Sequence, residues 1–232
     1  MRTNTLMLAL AVAVAGGCQG IDAQPPTVPS PAGPTTSEVL GAPVPAPDGG
    51  RGINSPGILL AVTPRIDGDL DVVEHVVFRE PTGSVLLHLP SAGSAAPTLE
   101  NALPAALDVQ VVADDNRADS TLDEVRSSQV LPVASVTRLE LTYRLTGAAV
   151  RNTPSRQGRA LAVIAPLTAS TDPTLPTNLV VNGPGLRNAM CPRLPETRCA
   201  AGKQPWMSIR PGIPADRAVA VLQLDLPNPT AR

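Results

Sequence analysis

Aromatic side chains are almost missing from this chain of 232 residues: Phe78, Tyr143 and Trp206 are the whole set. Stacking platforms for bases or sugars need more than that, and aromatic anchors at an interface are largely ruled out with them. Basic charge is also short. Lys plus Arg is 18 against 20 Asp plus Glu, a net charge of −2, so there is no cationic surplus to hold a phosphate backbone and no nucleic-acid partner is expected. Histidine occurs twice, at His75 and His88, and cysteine three times, at Cys18, Cys191 and Cys199. No His-Glu-x-x-His, no Gly-x-Ser-x-Gly elbow and no glycine-rich phosphate loop occurs. The one strongly apolar run, Leu6 to Val14, is far below the ~18–20 residues that span a bilayer. No cofactor and no metal is expected from these residues.

What is present begins at the N-terminus. Arg2 supplies a positive start, Leu6 to Val14 is uncharged and apolar, and Ala15-Gly16-Gly17 are small. That is the layout of an export signal. Val14-Ala15-Gly16-Gly17-Cys18 resembles the lipobox of bacterial lipoproteins, with Ala15 where the family prefers Leu. The resemblance implies a diacylglycerol thioether on Cys18 and cleavage before it by the lipoprotein signal peptidase. The competing reading is an ordinary secretory signal with a cysteine nearby. Gln19 is not the aspartate that retains such proteins at an inner membrane, so an outer-membrane location is open in a diderm cell.

Residues 1–17 are therefore expected to be a signal peptide, 18–56 a lipidated tether and 57–232 a folded domain. The tether carries nine prolines between Pro25 and Pro56 with few bulky apolar residues, too little to offset the entropy of ordering. Extended polyproline II at ~3.1 Å per residue gives it a reach on the order of 100 Å.

If Cys18 carries lipid, Cys191 and Cys199 are an even pair in an exported protein. A disulfide is the natural reading, with two metal ligands as the rival. Its short loop predicts a contribution of ~2–3 kcal/mol.

Period-two patterning dominates residues 57–232. The run 139–145 puts Leu139, Leu141, Tyr143 and Leu145 on one face and Glu140, Thr142 and Arg144 on the other. Strands are expected over 58–63, 71–78, 84–89, 109–111, 122–130 (weak), 136–146, 159–165, 179–181, 206–210 (an edge) and 218–226. Asp67-Gly68, Glu80-Pro81-Thr82-Gly83 and Asp114-Asp115-Asn116 read as turns, and one helical turn fits 99–103. Many short strands with Pro/Gly turns predict an all-β, antiparallel β-sandwich.

Several local patterns fall short of a site. Asp67, Asp69 and Asp71 alternate as in a calcium loop, but Val72 stands where the glycine belongs and Phe78 at the twelfth position; a solvated turn is expected. Asp114, Asp115, Asp119, Asp123 and Glu124 read as a solvated acidic stretch. Leu194-Pro195-Glu196-Thr197 resembles the start of a sortase signal, with Arg198 in place of its glycine.

The strand–turn pattern of residues 62–147 resembles the N-terminal β domain of gluzincin aminopeptidases. Its carriers are Gly68-Asp69-Leu70-Asp71, Val76-Val77-Phe78, the run 84–89, Val130-Leu131-Pro132 and the run 139–145. The resemblance implies a β-sandwich. No catalytic residue transfers, because the family's zinc motif is absent. The expectation is a lipid-anchored, non-enzymatic protein of the cell envelope whose extracytoplasmic β-sandwich acts as a binding or structural module, with the membrane and an envelope protein as its expected partners. The alternatives are an envelope hydrolase with a non-motif site or a small-ligand-binding lipoprotein.

Overall fold

The run Ile58-Leu59-Leu60-Ala61-Val62 has no polar phase, and the reason is its position. It lies in strand β1 (Gly57–Pro64), which is buried along its whole length between two neighbours. In the computed structural model, which describes residues 48–114, 116–151, 158–203 and 205–226, twelve further strands follow this start in chain order. They are β2 (Leu70–Leu87), β3 (Ala105–Ala113), β4 (Asn116–Val125), β5 (Gln129–Thr146), β6 (Ala149–Arg151) and β7 (Arg159–Ile164), counting β1 as the first. The remainder are β8 (Pro176–Asn182), β9 (Leu186–Met190), β10 (Ala200–Lys203), β11 (Trp206–Ile209), β12 (Ile213–Pro214) and β13 (Ala220–Asp225). All described residues belong to one compact unit, 36–232. The fold is nearly all β, as the patterning predicts.

Two sheets form the sandwich. One has nine strands in the order β10-β11-β8-β1-β2-β5-β3-β4, with β12 also paired to β8; the other runs β6-β7-β13-β9. Pairing is antiparallel apart from β1 with β8, which is parallel. One continuous core of Val, Leu, Ile and Ala fills the space, with Phe78 and Tyr143 as its aromatic members. Trp206 stays 41% exposed.

β2 and β5 are longer than the sequence suggests, 18 residues each. Glu80-Pro81-Thr82-Gly83 does not reverse the chain, contrary to the turn expected there. It lies inside β2, where the register against β5 shifts between Val77 and Thr82 and again before Ser84. A bulge tolerates proline because the ladder is already broken there.

Chain continuity shows that this is a sharp bend. Val125 lies opposite Ala106, which lies opposite Leu145. Two strand spacings are about 10 Å, and the link from Val125 to Gln129 reaches at most about 14 Å. A straight β5 would place Gln129 about 54 Å from Leu145. The β2–β5 ribbon must fold over, and Ser135 on β5 takes up a φ of 49° near the bend. The expected strand over 122–130 is accordingly two strand ends separated by 126–128.

Other differences are smaller. β11 is an inner strand, because β10 pairs outside it and forms the edge. The helical turn expected at 99–103 is replaced by short 3-10 turns at Gly93–Ala95 and Pro97–Leu99. Gly147 turns β5 into β6 at a φ of 63°, with Leu103 O only 2.3 Å from where a Cβ would stand, so the turn requires glycine. Ahead of β1, residues 50–55 close a turn in which Ile53, Asn54 and Ser55 N–H groups all bond Gly50 O.

Candidate functional site

Cys18 lies outside the described residues. Cys191 and Cys199 form a disulfide with S–S 2.04 Å and Cα–Cα 5.8 Å, and both are buried. Neither is a thiol nucleophile or a metal ligand in this state. Cys191 N–H donates to Thr197 O at 2.9 Å and Arg210 N–H to Cys199 O at 2.7 Å. The bridge thus joins the end of β9, in the small sheet, to the start of β10, in the large one. Leu194-Pro195-Glu196-Thr197 is inside this closed loop.

The histidines do not converge. His75 is on the outer face of the large sheet, its Nδ1 3.3 Å from Glu140 Oε2. His88 follows the far end of β2, past the bend, and its Nδ1 is 2.6 Å from Ser128 Oγ. Both members of that pair are exposed, and His88 is not seen donating to a carboxylate among the described residues. Among those residues no three His, Cys, Asp or Glu side chains gather as a metal-ligand set.

The Asp67–Asp71 turn is built around Arg65. Its guanidinium is buried and reaches Asp71 Oδ2 at 2.8 Å and Asp67 Oδ2 at 3.6 Å. Asp67 Oδ1 accepts from Asp69 N–H. Burial, and then the charge of Asp67, push the Asp69 carboxyl above its ordinary value. In the acidic stretch, Asp114 binds the middle of β5: its carboxylate accepts from Thr137 N–H, Thr137 Oγ1 and Arg138 N–H at 2.8–3.1 Å. Slight burial acts upward on it, but these bonds outweigh burial and hold the carboxyl below its ordinary value. Glu124 pairs with Arg126 at 2.7 Å. The side chains of Asp115 and Asp119 lie outside the description.

A polar centre that the sequence reading passed over is Glu74. The inward face of β2 reads Leu70, Val72, Glu74, Val76, Phe78, so Glu74 points into the core and is fully buried. Oε2 accepts from Leu167 N–H at 2.8 Å, and Oε1 from Thr168 N–H at 3.1 Å and from Thr168 Oγ1. Tyr143 OH donates to Oε2 at 3.4 Å. Burial is the larger influence and raises the Glu74 carboxyl above its ordinary value, against the bonds from Thr168, Leu167 and Tyr143 that act downward. The segment 165–175, which carries the chain from β7 to β8, is thereby fastened to β2. Leu86 N–H to Thr171 Oγ1, His88 N–H to Leu167 O and Arg79 to Asp172 (2.7 Å) add to this.

That fastening walls the smaller of two neighbouring clefts at this end of the sandwich. The larger, about 560 Å³, is lined by Leu89–Gly93, Leu99, Glu100, Ala102–Ala105, Arg126 and Val163. The smaller, about 290 Å³, lies across the shared wall Leu89-Pro90-Ser91 against Ala165, Pro166, Ala169, Pro173, Arg193 and Asp216. Arg193 holds this wall by donating to Ser91 O and Asp216 O. Leu103, on the rim of the larger cleft, is 83% exposed. Apolar side chains and backbone share the lining with charged groups, Glu100 and Arg126 in the larger cleft and Arg193 and Asp216 in the smaller.

No family model matches the chain, and no curated protein matches it. Among solved structures it is similar to an M1 zinc metallopeptidase from Deinococcus radiodurans, with 14% identity and a TM-score of 0.28 over 72% of this chain. The match covers 40% of that chain, so this protein spans less than half of the peptidase's length. No described helix is long and apolar enough to cross a membrane.

Proposed function

We propose that this is a lipid-anchored protein of the cell envelope whose β-sandwich acts as a binding module. The anchor reading rests on the sequence Val14 to Cys18, with the proline-rich residues 18–56 as a spacer. The observation that carries the binding reading is the cleft of about 560 Å³ lined by apolar groups, backbone and the charged Glu100 and Arg126, with an exposed leucine at its rim. Its chemistry suits an extended, apolar segment of an envelope protein partner. The test is in-cell crosslinking from a photoreactive residue at Leu103. A reproducible envelope partner, lost when Ala102 is replaced by a bulky residue, supports the reading; recovery of no reproducible partner counts against it.

A second reading, an envelope hydrolase, has one specific observation behind it, the Ser128–His88 contact. A hydrolase would label covalently at Ser128 with a fluorophosphonate, and the His88→Ala variant would not. The binding-module reading expects no label.

A further inference from the structure

The smaller cleft, about 290 Å³, is bordered by one cation and one anion, Arg193 and Asp216. Arg193 Nη1 donates to Asp216 O at 2.8 Å and Nη2 to Ser91 O at 3.3 Å. These two carbonyls fix the guanidinium in place. They take two of its five N–H donors and leave the others open. Among the described residues neither the Arg193 guanidinium nor the Asp216 carboxylate makes an ion pair. Because Arg193 is held by the backbone of Asp216 itself, the two charges border the cleft side by side. His88 also borders it and is taken up by Ser128 Oγ at 2.6 Å. Much of the remaining lining is apolar and stiff. Pro90, Pro166 and Pro173 carry no N–H and have a fixed φ, and Val219 lies among them. The segment that supplies Pro166 and Pro173 is pinned to Glu74 through Leu167 and Thr168, so the cleft is formed before any ligand enters.

We propose that this cleft binds a free α-amino acid with an apolar side chain of leucine's size. The carboxylate accepts from the open guanidinium N–H groups of Arg193. The ammonium faces the Asp216 carboxylate, and the side chain lies against the prolines and Val219. One carbon separates the two charged groups of such a molecule, which fits a cation and an anion set side by side. A simple carboxylic acid would meet the like charge of Asp216, and a simple amine that of Arg193, so each is selected against. The volume is at the low end for small-molecule pockets and suits one amino acid rather than a peptide. This site is separate from the larger cleft and does not depend on the lipid anchor or on a protein partner.

The test is isothermal titration calorimetry of the full chain with Cys18→Ser, which cannot be acylated. Three probes share one shape: L-leucine, L-leucinamide without the carboxylate, and 4-methylpentanoate without the ammonium. Leucine should bind saturably and about tenfold tighter than either analogue, the worth of one charge-assisted contact. Asp216→Asn should weaken leucine about tenfold and leave 4-methylpentanoate no weaker than before, since that probe has no ammonium to lose. Arg193→Gln should erase the preference for leucine over leucinamide. Arg193 also ties the wall, whereas the Asp216 carboxylate makes no hydrogen bond among the described residues, so Asp216→Asn decides the matter if Arg193→Gln loosens the fold. Arg210→Gln, outside the cleft, should change nothing. No saturable binding of leucine up to about 10 mM, or equal affinity for the three probes, would overturn the proposal. So would an Asp216→Asn chain that keeps the preference for leucine over 4-methylpentanoate, or tri-leucine binding as tightly as leucine.

Discussion

Replacing Glu74 by Gln keeps its shape and removes its charge, and the consequence depends on pH in a definite direction. The amide oxygen can serve the Thr168 N–H and Oγ1 donors, but its NH₂ then faces Leu167 N–H, which loses its acceptor. An unsatisfied buried donor costs about 1–3 kcal/mol. Against this, the amide escapes the burial of a charge, the larger influence on the carboxyl. Because burial raises the folded-state value above the unfolded one, the folded protein holds the Glu74 proton more tightly. The Glu74 contribution to stability is then fully present below the unfolded carboxyl value, about 4.3, and declines as pH rises through the raised folded value. The variant lacks this titration. Urea unfolding of both proteins, disulfide intact, from about pH 4 to pH 8 gives the difference, in which other titrations cancel. Wild type should exceed Glu74→Gln by most near pH 4 and by progressively less toward pH 8. A margin that widens as pH rises would mean that the bonds to Leu167 and Thr168 outweigh burial, and the reasoning would fail.

Other perturbations test the framework. Glu74→Ala strands four donors, Leu167 N–H, Thr168 N–H, Thr168 Oγ1 and Tyr143 OH, and should cost at least about 4 kcal/mol in the same assay. Asp108, at φ 52° where β3 shifts register against β5, occupies a left-handed position. Asp108→Val should lose about 1–2 kcal/mol while Asp108→Gly stays within about 0.5 kcal/mol of wild type. Removing the Cys191–Cys199 bridge with paired serines should cost about 2–3 kcal/mol, read as a lower urea midpoint; no change would show that the loop between β9 and β10 holds itself. Asp114→Ala should weaken the β3–β5 junction above pH ~4 and leave it unaffected well below, since the depressed carboxyl is stabilising only while ionised.

Strands with a strong apolar phase were legible in the sequence. β1 shows as an uninterrupted apolar run, the β5 segment 139–145 as clean alternation, and β7 and β13 as buried segments. β9, β10 and β12 were not, because Leu-Arg-Asn-Ala-Met, Ala-Ala-Gly-Lys and Ile-Pro carry no β signal of their own. Their strand geometry comes from partners: β13 for β9, β11 for β10 and β8 for β12. The bend in β2 looked like a turn because Pro81 and Gly83 punctuate a bulge and a reversal alike. Glu74 did leave a signal, since it falls in the inward phase with Val72 and Val76, but one carboxylate in an apolar phase does not by itself show that its partners come from a segment some 93 residues away. Arg65 left none: its burial depends on Asp67 and Asp71 folding back around it. The cysteine pairing was readable from number and compartment once Cys18 was assigned to lipid.

The central claim is that the chain is held at a membrane through Cys18, and the mass of the mature N-terminal peptide from native cells tests it most directly. The account predicts a peptide that begins at Cys18 with a diacylglyceryl adduct on its sulfur. A mature chain that begins elsewhere, with a free Cys18 thiol, would contradict it.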